Sequence, residues 1–377
     1  MPHKKIRFFS AIQLLFLFLL AFAILRAPGR ACALAALALE LWFEKMIPSL
    51  FPFMILSGLI VRLDFSRLIS LPIYPLLGRI YRINKTMCTT MFAGFLFGFP
   101  LGAKTVAEQY GFGQLSKPQA QYLLSFCNNI GPVYLLSFVL PLLGLSPDTG
   151  TLSLRHAVII VFFGLPLLYG LILRHTAYRH ISFSQKHPDL PSRLSSARAY
   201  PNTDSPKSDS SPASADKKTP GHFPLRAASA DASDRGERGK FLSALDASVT
   251  SACAAITRLG GYMIFFIVCN LLTEQAAALA GTPAARVFAA KLVACAAPLL
   301  EITSGLSLAR GILPPALLMT MVTFGGLSCF AQTYTCIRDT NLSFGNYCLH
   351  KLLQSAIAFC LYALLFSVFS GRMPALS

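Results

Sequence analysis

Charged residues are scarce in this chain, and acidic ones most of all. They make up 13% of the 377 residues, with 16 Asp and Glu against 33 Lys and Arg. Soluble domains usually carry about 25% charged residues, whereas 54% of this chain is hydrophobic. The composition excludes an ordinary soluble domain and predicts an all-α polytopic membrane protein in contact with the lipid bilayer.

The sequence also lacks the common signatures of enzymes and cofactor sites. It contains no P-loop, no G-x-S-x-G and no H-E-x-x-H motif. The ten cysteines form no C-x-x-C pair, and most lie inside apolar runs, which is typical of small thiols in helix packing. We therefore expect no enzymatic activity, no cofactor and no bound metal.

The net charge of +17 does not indicate a nucleic-acid partner. Lys and Arg lie mostly at the ends of apolar runs, which is typical of cytoplasmic loops, and no basic patch is interleaved with aromatic residues. The basic N-terminal string HKKIR, the loop 62–85 and Arg174 favour the cytoplasmic side. Arg26, Arg30 and Arg310 fall on the opposite side of this scheme.

The apolar segments form two groups on either side of residues 182–240. This stretch is rich in Ser, Pro, Asp and Lys, cannot bury a core, and is predicted to be a disordered polar linker. The N-terminus has the basic start and apolar run of a signal peptide, but no clear A-x-A cleavage site follows the run, so we expect an uncleaved transmembrane helix at 1–30. A first membrane repeat is predicted at 31–181 and a second at 241–377.

Both groups of apolar segments are interrupted in the same order. In the first half the breaks lie at Gly98–Gly102 and Asn128–Pro132, and in the second half at Glu301–Gly305 and Gly325-Gly326. The apolar run before the first break rises only about 20 Å, which is short for a membrane span. The order is therefore a re-entrant hairpin, a discontinuous helix and a full helix, twice. The distribution of Lys and Arg and the number of membrane crossings orient the two halves oppositely. This predicts an inverted-repeat, transporter-like fold.

Helix breaks inside a membrane indicate where a substrate would bind. A broken helix frees N–H and C=O groups, which is tolerated only where they line a cavity or meet protein partners. The positive ends of half-helices can then face an anion, and freed carbonyl groups can face a cation. The predicted substrate-binding residues are Gly98, Pro100, Gly102, Lys104, Asn128, Asn129, Gly131, Glu301, Thr303, Ser304, Gly305, Gly325, Gly326, Ser328 and Gln332.

Several of these side chains also have purely structural interpretations. Lys104 either pairs with an anionic substrate or with Glu108, one helical turn away. Glu301 either carries a coupling proton, receives a cation or caps the backbone after it. Asn128 and Asn129 offer donors and acceptors to a substrate, or they form interhelical hydrogen bonds.

Several strings together resemble one known family. They are ALELWFEKMIPSLFPFMILSGLI, GFPLGAKTVAEQY, LLSFCNNIGPVYLL, LEITSGL and TFGGLSCFAQTY. In this order they resemble the YlbJ family of sporulation integral membrane proteins (stage V sporulation protein V). That family carries the nucleoside-recognition Gate domain and is similar in architecture to concentrative nucleoside transporters.

The resemblance implies a transporter active in endospore formation. Its implied substrate is dipicolinic acid, moved across the outer forespore membrane, which places the chain as a multi-pass protein of that membrane. Two alternatives stay open: a carrier of nucleosides or other small metabolites, and a non-transporting membrane scaffold for sporulation complexes. The sequence also leaves open whether the chain forms homo-oligomers or joins other sporulation membrane proteins.

Overall fold

The structure is a computed structural model that describes residues 2–63, 65–145, 152–181 and 229–369. All regular structure in these ranges is helical. Six of the described helical stretches are long and apolar enough to cross a membrane, namely Pro28–Ile60, Ser153–His175, Gly239–Ala278, Pro283–Leu300, Pro315–Ile337 and Phe344–Val368. The prediction of an all-α polytopic membrane protein is therefore confirmed.

The helices of the first half include two π-helical segments. The α-helices are α1 (Pro2–Arg26), α2 (Pro28–Leu41), α3 (Ile47–Arg62), α4 (Ser66–Tyr81), α5 (Lys85–Phe97), α6 (Leu101–Gly111), α7 (Lys117–Leu124), α8 (Pro132–Tyr134), α9 (Leu140–Leu142) and α10 (Leu152–His175). The π segment Trp42–Met46 joins α2 to α3, and the π segment Leu135–Val139 joins α8 to α9.

The helices of the second half are α-helical throughout the described residues. They are α11 (Ser229–Val268), α12 (Asn270–Ala278), α13 (Pro283–Leu300), α14 (Ile302–Ala309), α15 (Pro315–Phe324), α16 (Gly326–Ile337) and α17 (Phe344–Val368).

The order of interruptions is the same in the two halves. Helices α5 and α6 pack against each other around a turn at 98–100, and α7 is separated from α8 by the unwound segment 125–131. Helices α13 and α14 pack against each other around Glu301, and α15 is separated from α16 at Gly325. One uninterrupted helix closes each half, α10 in the first and α17 in the second. The breaks thus fall where the glycine, proline and polar residues of the sequence predict them.

The main apolar core draws on both halves of the chain. It contains Leu135 and Val158 from the first half and Leu318 and Tyr362 from the second. Large apolar side chains are also exposed on the outside of the helices, as expected for surfaces that face lipid. Because the halves share one core, the helix breaks lie inside protein.

The segment boundaries differ in part from the predicted ones. Helix α1 ends at Arg26 and α2 begins at Pro28, and the apolar stretch Ser10–Arg26 is shorter than the six spans. The chain divides into one unit of residues 1–185 with 244–377 and a second unit of residues 186–243. Helix α11 begins at Ser229, within the predicted linker, whose residues 182–228 lie outside the described ranges. The transmembrane character of α1 and the disorder of the linker stay predictions.

Arg30, which opposes the charge-based orientation, has a structural partner. Its Nε and an Nη donate to the two carboxylate oxygens of Glu274 on α12, at 2.9 and 2.7 Å. Both side chains are partly exposed, and exposed ion pairs contribute about 0–1 kcal/mol. We expect Arg30→Ala to lower the free energy of unfolding by less than about 1 kcal/mol, measured by thermal unfolding in detergent. A loss above about 2 kcal/mol would show that the pair orders α2 against α12.

Candidate functional site

The unwound segment 125–131 lies against the turn of the first hairpin. Gly98 in this turn has φ +70°, and a β-carbon there would lie 2.3 Å from the backbone nitrogen of Gly131. The Phe99 N–H donates to the backbone carbonyl of Asn129 at 2.6 Å. Only glycine permits this approach of two backbones, so the hairpin turn docks directly on the broken helix.

Two further glycines let both arms of the hairpin approach the same carbonyl group. A β-carbon at Gly94 of α5 would lie 2.6 Å from the Cys127 carbonyl oxygen, and one at Gly102 of α6 would lie 2.7 Å from it. Side chains at either position would displace the unwound backbone. The close fit explains why the hairpin is rich in glycine near its turn.

Asn128 caps the second arm of this hairpin from across the junction. Its Oδ1 accepts from the Ala103 N–H at 3.2 Å, one of the N–H groups at the start of α6 that have no partner within the helix. Its Nδ2 donates to the Thr333 Oγ1 at 2.9 Å and to the Tyr347 hydroxyl at 3.2 Å. Asn128 is 1% exposed, so it ties α6 of the first half to α16 and α17 of the second.

Glu301 has the corresponding position in the second hairpin. Its carboxylate accepts from the Thr303 N–H at 3.0 Å, the Ser304 N–H at 2.7 Å and the Ser304 hydroxyl at 2.6 Å. It is 2% exposed and forms the N-cap of α14. Of the interpretations open at the sequence level, capping is the one that these contacts support. The second arm of each hairpin therefore begins at a buried polar cap. In the first hairpin the cap is Asn128 of the broken helix, and in the second hairpin it is Glu301 of the hairpin itself.

The second hairpin also docks on the broken helix of its own half. A β-carbon at Gly305 would lie 2.2 Å from the Pro298 nitrogen, so α13 and α14 pack backbone to backbone. A β-carbon at Gly326, which has φ +79°, would lie 2.9 Å from the Pro298 carbonyl oxygen. The preceding Gly325 has φ +92° and ends α15 in the left-handed conformation. Glycine is required at this second contact for the same reason as at the first.

One face of α17, continued by its N-cap residue, runs along the first broken helix. The contacting residues are Ser343, Tyr347, Lys351 and Gln354. The Ser343 N–H donates to Gln121 Oε1 at 2.7 Å, and the Gln121 Nε2 donates to the Ser343 carbonyl at 3.2 Å. The Gln354 Nε2 donates to the Ser125 carbonyl at 2.7 Å. The last helix of the second half thus satisfies polar groups that the break exposes in the first half.

Lys351 connects the two broken helices. Its Nζ donates to Asn129 Oδ1 at 2.7 Å and to the Thr323 carbonyl in the last turn of α15 at 3.3 Å. Asn129 in turn donates from Nδ2 to the Phe126 carbonyl at 2.6 Å. The lysine is 4% exposed, which places one basic group inside the protein where the two breaks meet.

A second contact joins the first broken helix to the other hairpin. The Tyr134 hydroxyl on α8 donates to the Thr303 Oγ1 on α14 at 3.2 Å, and both residues are buried. We use the name junction for the unwound segment 125–131, the turn 98–100, residues 301–305, Gly325 and the contacting face of α17. All four helix breaks predicted from the sequence belong to it.

A small cavity lies within the junction. It has a volume of about 10 Å³ and is lined by Asn128, Asn129, Gly325, Tyr347 and Lys351, among others. This is about the space that one water molecule requires, far below the several hundred Å³ of a typical ligand pocket. The structure is therefore closed around the junction.

Lys104 lies apart from this cavity. Its Nζ donates to the Ser251 hydroxyl on α11 at 2.5 Å and lies 3.9 Å from the Glu108 carboxylate. Its backbone N–H donates to the Pro100 carbonyl at 3.1 Å. In this closed form the lysine takes the pairing with Glu108 that the helical spacing offers, and it does not line the cavity.

Ser328 and Gln332 are buried on α16 but do not line the cavity either. The Gln332 Nε2 donates to the Ser328 hydroxyl at 3.2 Å, one turn away on the same helix. The neighbouring Thr333 is the residue of α16 that contacts Asn128. The predicted residues that line the cavity are therefore Asn128, Asn129 and Gly325.

The polar face of α17 was not among the predicted site residues. Lys351 is a charged residue inside an apolar 25-residue span, which by itself indicates a functional position. Tyr347 and Gln354 share its face because they lie four and three residues away, at helical spacing. The sequence could have predicted this face, because the polar residues in the string NYCLHKLLQS recur at a helical period.

The described residues show no group suited to a metal ion. Within the ranges that the structure covers, no three His, Cys, Asp or Glu side chains come together. The ten cysteines are free thiols. The polar groups of the junction are amides, hydroxyls, backbone carbonyls, the Glu301 carboxylate and one ammonium.

Comparison with known proteins gives a partial match. The chain is 31% identical over 124 residues to the sporulation integral membrane protein YlbJ of Bacillus subtilis (strain 168). The matched segment covers 33% of this chain and 30% of that protein, so the chain spans less than a third of the relative that it matches. No family model and no solved structure shows a significant match. The match supports the YlbJ-type resemblance of the sequence motifs.

Proposed function

We propose that this protein transports a small anionic metabolite across a membrane, and that dipicolinic acid, moved across the outer forespore membrane, is the first substrate to test. The observation that carries the proposal is the junction itself. Two discontinuous helices, one from each half, meet there inside the protein around polar side chains. The proposal includes no catalytic step.

The physical cost of the junction supports a carrier. Interrupted helices leave backbone groups that only protein partners or water can satisfy in a membrane. The structure uses Asn128, Glu301 and the polar face of α17 for this purpose. Secondary transporters place their substrates at such breaks between repeated halves, with the two halves rocking around the site. The repeated order of hairpin, broken helix and full helix fits that architecture.

The small cavity sets a condition on this mechanism. Dipicolinate is a planar ring with two carboxylates and does not fit into about 10 Å³. Binding therefore requires the hydrogen bonds between α17 and the segment 125–131 to separate, opening the junction to one side. These contacts are polar, so water or the substrate can replace them on opening.

One observation favours a second candidate, a non-transporting scaffold. The junction is tightly packed by protein, with glycine-mediated backbone contacts at both hairpin turns. A scaffold would need this packing and no water-filled path. It would tolerate changes to polar groups at the cavity as long as the helices stay packed.

Uptake separates the two candidates. Purified protein in proteoliposomes should take up labelled dipicolinate in a saturable manner, with uridine and adenosine as tested competitors. Asn129→Ala removes an acceptor of the Lys351 ammonium, and a hydrogen bond to a charged group contributes about 1.5–3 kcal/mol. We expect uptake to fall about tenfold or more. Asn341→Ala, at an exposed turn before α17, is the matched control and should leave uptake unchanged.

The opposite results are equally informative. Folded protein that shows no uptake under imposed sodium and proton gradients would favour the scaffold. Saturable uptake that Asn129→Ala leaves intact would place the path away from the junction. Full competition by uridine or adenosine would identify the protein as a nucleoside carrier.

A further inference from the structure

Among the described residues, the positive charge of Lys351 is not paired with a carboxylate. The lysine is buried, and no Asp or Glu lies within ion-pair distance of it in the part of the chain that the structure describes. Its two acceptors are neutral oxygens, the Asn129 amide and the Thr323 carbonyl. An ammonium has three N–H donors, so one remains without a protein acceptor among the described residues.

The other charges near the junction do not remove this imbalance. The Glu301 carboxylate, the acidic group of the junction, accepts from the Thr303 and Ser304 N–H groups of α14. The Thr323 carbonyl belongs to the C-terminal end of α15, which carries about half a negative charge. The positive charge of Lys351 is therefore only partly balanced by these groups.

A lysine at this position is not needed to hold the helices together. Buried charges are costly to desolvate, and well-packed neutral residues of similar volume often stabilise a protein as well or better. A neutral amide could donate to the Asn129 and Thr323 oxygens without that cost. The charge is explained if a negatively charged group binds beside it in another state of the protein.

We propose that Lys351 is the residue that binds a carboxylate of the transported solute. The inference rests on the proposed function and names the group that makes the site selective for anions. Lys351 borders the cavity together with Asn128, Asn129 and Tyr347. When the junction opens, the ammonium donates to the carboxylate, and the amide and hydroxyl groups released from each other donate to its remaining oxygens. Because Lys351 contacts both broken helices, the anion binds where the two halves separate.

Binding can be measured without transport. The purified protein in detergent is titrated with dipicolinate and, in parallel, with pyridine-2,6-dicarboxamide, which has the same shape and no charge. The melting temperature reports binding, because a ligand that binds only the folded state raises it. We expect a rise with dipicolinate and none with the dicarboxamide. Picolinate and succinate extend the series to other carboxylates.

Three variants assign the charge to Lys351. The variant Lys351→Met keeps a side chain of similar length but removes its charge. Its affinity for dipicolinate should be about 30-fold weaker or more. In Lys351→Arg the affinity should be largely retained. Lys291→Met, which makes the same change at an exposed position of α13, should bind like the unchanged protein. If Lys351→Met does not fold, the dicarboxylate and dicarboxamide comparison and Lys351→Arg still decide the question.

Each outcome bears on a separate claim. No response to any of the three carboxylates, equal response to the dicarboxamide, or unchanged affinity in Lys351→Met would overturn the anion site. Binding that depends on Lys351 without uptake into vesicles would support the anion site and contradict the transporter. Uptake of the dicarboxamide at the rate of dipicolinate would contradict the anion site and support the transporter.

Discussion

Replacing Gly98 by alanine should lower the free energy of unfolding by about 4 kcal/mol or more, a large share of the roughly 5–15 kcal/mol of a typical protein. A β-carbon there would lie 2.3 Å from the nitrogen and 2.4 Å from the α-carbon of Gly131. Both are backbone atoms of a buried segment and cannot move aside as a flexible side chain could. The residue also has φ +70°, which costs a further 1–2 kcal/mol or so for alanine.

The expected consequence is loss of the contact between the first hairpin and the broken helix. Expression level and thermal unfolding in detergent measure it. Gly164→Ala in α10 is the matched control, because no atom lies within 4 Å of a β-carbon at that position. It should be neutral or stabilise the protein by up to about 1 kcal/mol through higher helix propensity. Equal melting temperatures for the two variants would show that the hairpin does not dock as described.

Asn128→Ala is the second change with a large expected effect. It leaves the buried Ala103 N–H without an acceptor and removes the donor to the Thr333 and Tyr347 hydroxyls. An unsatisfied buried polar group costs about 1–3 kcal/mol. The cost at the hydroxyls is smaller than at the Ala103 N–H. The Thr333 hydroxyl still donates to the Cys329 carbonyl at 2.9 Å. We expect a total loss of about 3 kcal/mol.

The effect of this change should reach both halves of the protein. Thermal unfolding of Asn128→Ala in detergent gives the loss of stability, and hydrogen exchange should show faster exchange in α6 and around Thr333. Asn341→Ala, the exposed control, should change neither quantity. A loss below about 1 kcal/mol would mean that Asn128 is held less tightly than its three hydrogen bonds indicate.

The breaks were predictable because their causes are local. Glycine and proline cannot continue a helix without cost, and adjacent amides in an apolar run need partners. The strings around Gly98, Gly131 and Gly325 therefore mark the interruptions in the sequence itself. Their close backbone contacts follow from the absence of side chains, although the sequence does not say which glycine meets which segment.

The partners of the polar residues were not predictable in the same way. Lys351 and Asn129 are 222 residues apart, and only the packing of α17 against the first half brings them together. For Lys104 the prediction was a place in the substrate site, because the residue lies beside the hairpin turn. Its side chain instead contacts Ser251 of α11. The helix order predicts which segments approach one another but not which face each helix presents.

Transport through the junction requires it to open to water, and labelling of Cys329 reports that opening directly. This thiol lines the cavity and is buried in the closed structure. In a variant whose other cysteines are replaced, proteoliposomes are treated with a membrane-impermeant maleimide on either side, with and without dipicolinate. An Asn341→Cys variant in the same background controls for access to an exposed position. We predict that Cys329 is labelled from at least one side and that saturating dipicolinate changes the rate several-fold. No labelling of Cys329 from either side, with full labelling of the control, would contradict a transport path through the junction.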